Sequence, residues 1–124
     1  MIEFVLDSYA IIEFLKGNKK FEKYFDEGKS VTTKLQMAEV YFNVLRDFGE
    51  LMAEYDYDSL IGFEHPLSDE TIKGAMRKRL ELKQKGKDIS YADAIGYQLS
   101  LDLKAKFITG DNEFRDLENV IFIK

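Results

Sequence analysis

Four acidic residues stand where a chain of this kind could use them for chemistry: Asp7, Glu39, Asp93 and Asp111. Asp7 ends the apolar run "EFVLD", and Asp111 follows "KFITG". Asp93 lies three residues after Ser90 in "ISYADAIGYQLS", and Glu39 sits in "TTKLQMAEVYF". Carboxylates brought together repel unless cations lie among them. An oxygen-only set without His or Cys suits Mg²⁺ or Mn²⁺. Such ions can activate a water and steady the leaving oxygen in phosphodiester cleavage. Each acid also has a plainer reading on its own. Asp7 could cap the helix after it, and Asp93 could complete a capping box with Ser90. Glu39 could be a solvated helix residue, and Asp111 a turn residue after Gly110. Only their joint placement favours chemistry.

Other chemistries have less to stand on. There is no cysteine and a single histidine, His65, so neither a thiolate nor a His-rich metal site can form. No GxGxxG, Walker loop or nucleophilic Cys is present. The first acid is not part of a DxD, which leaves a covalent phospho-aspartate route without its motif.

The elements that must position the acids follow from periodicity. The apolar runs "IEFVL", "SVTT", "AKFIT" and "VIFIK" read as strands, and "GFEHPLS" as a further extended piece because Pro66 disfavours helix at His65. Helices are expected at "SYAIIEFLK", "KKFEKYFDEG", "KLQMAEVYFNVLRDFG" and "ELMAEYDYDSLIGF". Two more run from Ser68 or Asp69 to about Lys85, and over "YADAIGYQLSLDLK". Thr33 and Gln36 could cap the third of these. Strands separated by helices imply parallel pairing, hence a three-layer α/β fold with a central parallel sheet of about five strands. In such a sheet every strand C-terminus, and the start of each following helix, meets one edge. Glu39 lies roughly 9 Å along its helix at 1.5 Å per residue, and its side chain leans back toward that edge. All four acids can therefore meet.

The chain has 124 residues, of which 45% are hydrophobic, including ten Phe and seven Tyr, enough for one core-bearing domain over 1–124. Its start carries acids within the apolar run and reads as a folded element rather than a leader. No run is long enough to span a membrane, so a cytoplasmic protein is expected. The net charge of −5 argues against a broad electrostatic grip on nucleic acid. Against that trend, Lys73, Arg77, Lys78, Arg79, Lys83, Lys85 and Lys87 form a basic segment. It reads either as a solvated helix face or as an RNA guide, with Arg77, Lys78 and Arg79 as the contacts.

The stretches "FVLDSYAII", "VTTKLQMAEVYF", "KGKDISYADAIGYQLS" and "FITGDNEF" together resemble the PIN-domain family, and within it the VapC-type toxin ribonucleases. The resemblance spans essentially the whole chain. It implies a divalent-metal-dependent endoribonuclease, with Mg²⁺ or Mn²⁺ held by Asp7, Glu39, Asp93 and Asp111. It gives Ser8 and Thr109 supporting places. Two positions depart from the pattern: Tyr9, where a small polar residue is usual, and Glu113, where an extra Asp is usual. Glu113 is thus a candidate fifth acid. The resemblance further implies a small antitoxin partner and a homodimer. The apolar residues Leu51, Tyr55, Tyr57, Leu60, Ile61 and Phe63 could receive a partner's helix or simply be core. The alternatives are a PIN-like module that binds RNA or protein without cleavage, and a housekeeping RNA-processing nuclease.

Overall fold

Alternation along two short strands sets the architecture of the computed structural model, which describes residues 1–124. Strand β1 is Phe4–Leu6 and strand β3 is Lys106–Thr109. They pair in parallel, with Val5 opposite Phe107 and Leu6 opposite Ile108. Strand β2, Ser30–Val31, lies on the other side of β1, and β4, Val120–Phe122, lies beside β3. The sheet order is β2-β1-β3-β4 with every pairing parallel. Successive side chains point to opposite faces, so register partners share a face. Val5 and Phe107 pack with residues of α4, Asp69–Gln84, and α5, Tyr91–Leu103. Leu6 and Ile108 pack with α1, Ser8–Leu15, α2, Lys34–Phe48, and α3, Glu50–Leu60. The result is three layers, with the sheet buried on both faces. Val5, Leu6, Phe107 and Ile108 are fully buried. Each is worth about 1.5–3 kcal/mol of burial, which makes these two strands the anchor of the fold.

The sheet has four strands, not five. The segment around Glu64 is extended, as expected, but makes only one bridge, Thr32 to Glu64. Its two hydrogen bonds run Thr32 N to Phe63 O and His65 N to Thr32 O, at 2.8 Å each. Pro66 follows and has no N–H to extend the ladder. The expected second helix is a 3₁₀ segment, Lys19–Tyr24, and the last turn contains another, Asn112–Phe114. The stretch 51–63 divides. Leu60 is buried and Tyr57 and Phe63 pack on the core, whereas Leu51, Tyr55 and Ile61 are exposed. No helix is long and apolar enough to cross a membrane.

Candidate active site

The register of β1 on β3 continues one residue past the strands. Asp7 N donates to the Ile108 carbonyl at 3.2 Å, which sets Asp7 beside Thr109. The Thr109 hydroxyl donates to Asp7 Oδ2, and the same hydroxyl oxygen accepts from Asp111 N at 3.0 Å. Asp7 Oδ1 accepts from Ala10 N at 2.9 Å and so caps α1. Thr109 is fully buried and Asp7 nearly so. Burial pushes the Asp7 carboxyl up to about 8, against the pull of the Thr109 hydroxyl and the Ala10 N–H, and the charges of Asp93 and Asp111 push it further. A cap contributes about 1 kcal/mol. A shift from 3.8 to about 8 costs the charged form roughly 6 kcal/mol at 1.36 kcal/mol per unit. Asn or Ser would cap as well without that cost. Capping describes what Asp7 does but does not account for a carboxylate being there.

Glu39 sits on α2, and the Ser8 hydroxyl at the start of α1 donates to its Oε1 at 2.8 Å. That bond draws Glu39 to the edge where Asp7 lies. Asp93 forms the anticipated capping box: its N–H donates to Ser90 Oγ at 3.0 Å, and Ser90 N donates to Asp93 Oδ2 at 3.4 Å. Burial pushes Asp93 up to about 6, with the Glu39 and Asp111 charges adding to it. Asp111 Oδ1 accepts from Glu113 N at 3.0 Å and caps the 3₁₀ turn. Asp7, Glu39, Asp93, Asp111 and Glu113 line one open cleft with Ser8, Tyr9, Ser90 and Lys124. Asp93 Oδ1, Asp111 Oδ2 and Glu39 Oε2 accept no hydrogen bond from the protein. The plain readings and the joint one coexist, because Glu39, Asp93 and Asp111 each spend one oxygen on local structure and keep the other free, whereas Asp7 has both oxygens engaged.

The donor chemistry fits a hard divalent cation, being oxygen only. The donor positions do not form a ready-made cage, since no three of the acids close around one point. Gly110 is required here by close approach: a Cβ would meet the Tyr9 ring at 2.2 Å and the Ile123 carbonyl at 2.4 Å. Tyr9 and the end of the chain thus wall the cleft. Arg77, Lys78 and Arg79 lie on α4, outside it.

Sequence reasoning gave Gln36 only a capping part, and that is half right. Thr33 accepts from the Leu35 and Gln36 N–H groups, but the Gln36 side chain does not return to the Thr33 backbone. It is fully buried, accepts from the Thr33 hydroxyl, and donates to the Ala92 carbonyl at 2.6 Å. This ties α2, which carries Glu39, to the first turn of α5, which carries Asp93. Gly96 makes room, since a Cβ there would come within 2.6 Å of Gln36 Nε2 and 3.0 Å of Phe107. The available signal was a polar residue on the buried stripe Gln36, Met37, Val40, Val44.

The family model described as PIN domain matches residues 4–120. The chain belongs to the PIN-domain family. Solved structures described as VapBC or VapC proteins overlay nearly its full length at low identity. DNA-bound VapBC from Salmonella typhimurium gives a TM-score of 0.77 at 14% identity, covering 99% of this chain and 98% of that one. VapBC-5 from Mycobacterium tuberculosis gives 0.70 at 21% identity, covering 100% and 99%. VapC20 from the same organism, described as a sarcin–ricin loop cleaving toxin, gives 0.73 at 11% identity, covering 98% and 99%. At these identities the likeness concerns the fold. A search among curated proteins finds no match.

Proposed function

We propose that this PIN-domain protein is a divalent-metal-dependent endoribonuclease and the toxin of a type II toxin–antitoxin pair. The observation that carries the reading is the cleft itself. Acids from four separate parts of the chain line it, and three of them keep an oxygen free of protein hydrogen bonds. Asp7, Glu39, Asp93 and Asp111 would hold Mg²⁺ or Mn²⁺, with Glu113 as a fifth oxygen donor. When bound, such a cation lowers the pKa of a water and offsets charge on the leaving oxygen. Burial favours the protonated form of Asp7 in the metal-free protein, and a bound cation would favour release of that proton. Thr109 orients Asp7 through Oδ2, and Ser8 orients Glu39 through Oε1.

The partner part of the proposal rests on the exposed apolar residues Phe42, Leu45, Phe48, Leu51, Met52 and Tyr55 of α2 and α3. Beside them runs a groove lined by Ile12, Leu15, Val44, Phe48 and Met52. An amphipathic helix of a small antitoxin, or a second copy of the chain, would cover this surface. Several similar structures are described as VapBC pairs, which supports that reading.

One observation favours a second reading: the acids are not closed about a single point. A PIN module that binds RNA without cutting it would need no such closure. A cleavage assay on a pool of structured RNAs with Mg²⁺, Mn²⁺ or EDTA decides between them. Metal-dependent cleavage that Asp93→Asn abolishes is the expected result. Binding without cleavage under every metal condition would establish the second reading.

A further inference from the structure

The residues just outside the cleft include an aromatic ring that the fold does not use. Tyr91 is the first residue of α5, between Ser90 and the helix body, and it is 63% exposed. Its neighbours on that helix are spent on the core: Ala92, Ala94 and Ile95 are all buried. Tyr91 instead lies against the guanidinium of Arg79, whose central carbon is 4.3 Å from the ring centroid. Arg79 is held from behind, because its Nε donates to the buried Ile89 carbonyl at 3.0 Å. It makes no ion pair, whereas its neighbour Lys78 is engaged with Glu81 at 3.6 Å. A pinned, unpaired guanidinium thus backs an aromatic ring that is more than half in water. An exposed cation–π contact is worth about 0.5–1 kcal/mol, too little to explain leaving a large ring unburied.

We propose that Tyr91, backed by Arg79, is a stacking subsite for an unpaired base of the RNA whose backbone enters the carboxylate cleft. This rests on the nuclease reading above and adds to it a place for one base of the strand at the start of α5, outside the carboxylate cleft. The chemistry is complementary on both counts. A base offers a flat π-face to the tyrosine ring, and its phosphate offers charge to the guanidinium. Position on the helix specifies which nucleotide. Tyr91 and Asp93 are two residues apart, about 200° around the helix at 3.6 residues per turn, so the ring lies across the first turn from the cleft. Tyr91 does not itself line the cleft, so the base it takes belongs to a nucleotide outside it. Arg79 is thereby distinguished from Arg77 and Lys78, which lack this pairing with a ring.

The test uses the full chain and short single-stranded oligoribonucleotides, each carrying 2-aminopurine at one position. Binding is followed in EDTA by quenching of the 2-aminopurine, so no cleavage is required. Wild type should quench the probe strongly at one or two adjacent positions. Tyr91→Ala should remove that quench and weaken binding about 5- to 150-fold, the range expected for one lost stack. Tyr91→Phe keeps the ring and should recover both. An abasic nucleotide at the quenched position should weaken wild type as much as Tyr91→Ala does, and should cost that variant nothing more. Equal weakening of intact and abasic strands by Tyr91→Ala would overturn the subsite, as would no weakening at all. A change in the mass of the protein in solution on Tyr91→Ala, with RNA binding intact, would assign the ring to a protein contact and also overturn it. Loss of metal-dependent cleavage with the quench retained would refute the nuclease reading and leave the subsite standing.

Discussion

Replacing Asp7 by Asn separates the carboxylate's charge from its place in the fold. Asn presents an oxygen to Ala10 N, so the cap on α1 survives. Its amide group then meets the Thr109 oxygen, which can accept a second bond beside that from Asp111 N. The charge is what changes. Asp7 has a folded-state value of about 8 against 3.8 without burial, so the folded state binds a proton that the unfolded state has released. A raised value of this kind stabilises fully below about pH 4 and is lost as pH rises through about 8. Each unit in that window costs about 1.4 kcal/mol, so Asp7 alone removes about 2–3 kcal/mol between about pH 5 and pH 7. Asp93, raised to about 6, adds a similar slope but only up to about that pH. Denaturant titrations of the metal-free protein should therefore show stability falling from about pH 5 to pH 7 in wild type and falling much less in Asp7→Asn. At neutral pH the variant should equal or exceed wild type by about 1–3 kcal/mol. Mn²⁺ at about 100 times its Kd should add about 2.7 kcal/mol to wild type and distinctly less to the variant, and RNA cleavage should vanish in the variant. Parallel pH dependence in the two proteins, or an active Asp7→Asn, would refute the assignment of Asp7 as a buried carboxylate held for a cation.

Other outcomes follow from neighbouring contacts. Thr109→Val keeps the shape but leaves Asp7 Oδ2 and Asp111 N without a partner. It should cost about 1–3 kcal/mol and move the pH midpoint of Mn²⁺ binding upward, read by isothermal titration at several pH values. Gly96→Ala drives a methyl group into Gln36 and Phe107 and should destabilise by about 1–3 kcal/mol, with cleavage falling further than stability because α2 and α5 separate. Charge reversal at exposed Arg77 should flatten the salt dependence of RNA binding if α4 guides the strand, and an unchanged slope assigns Arg77 to a solvated face. Phe48→Asp with Leu51→Asp places charge on the exposed apolar surface and should abolish co-purification of a small partner or shift the mass in solution, with RNA cleavage kept.

The parts of the molecule governed by period-2 alternation and by helix punctuation were legible in the sequence. "FVLD" and "FITGD" announced two parallel strands ending at one edge, and the strands lie in register there. Ser90 and Asp93 announced a capping box, and it forms. What local pattern could not convey was where tertiary contacts cut an element short. The extended piece near Glu64 has the right conformation, yet its backbone bridges to Thr32 alone. Gln36 looked like an end-cap because sequence spacing knows only its own helix, and its partner at Ala92 is brought in by the packing of α5. Likewise, nothing in "ELMAEYDYDSL" distinguishes Leu60, which is buried, from Leu51, which is not.

The pairing of Asp7 with Thr109 one step beyond β1 and β3 has a consequence for any preparation of this protein. A slip of one residue between those strands would carry Asp7 away from Thr109. The same slip would turn Val5 and Leu6 to the wrong faces of the sheet, exposing the core. The error that dismantles the cleft is thus the error that unfolds the chain. A misregistered but folded population has no place to persist, so the molar fraction of working sites in a sample should track the fraction that is folded.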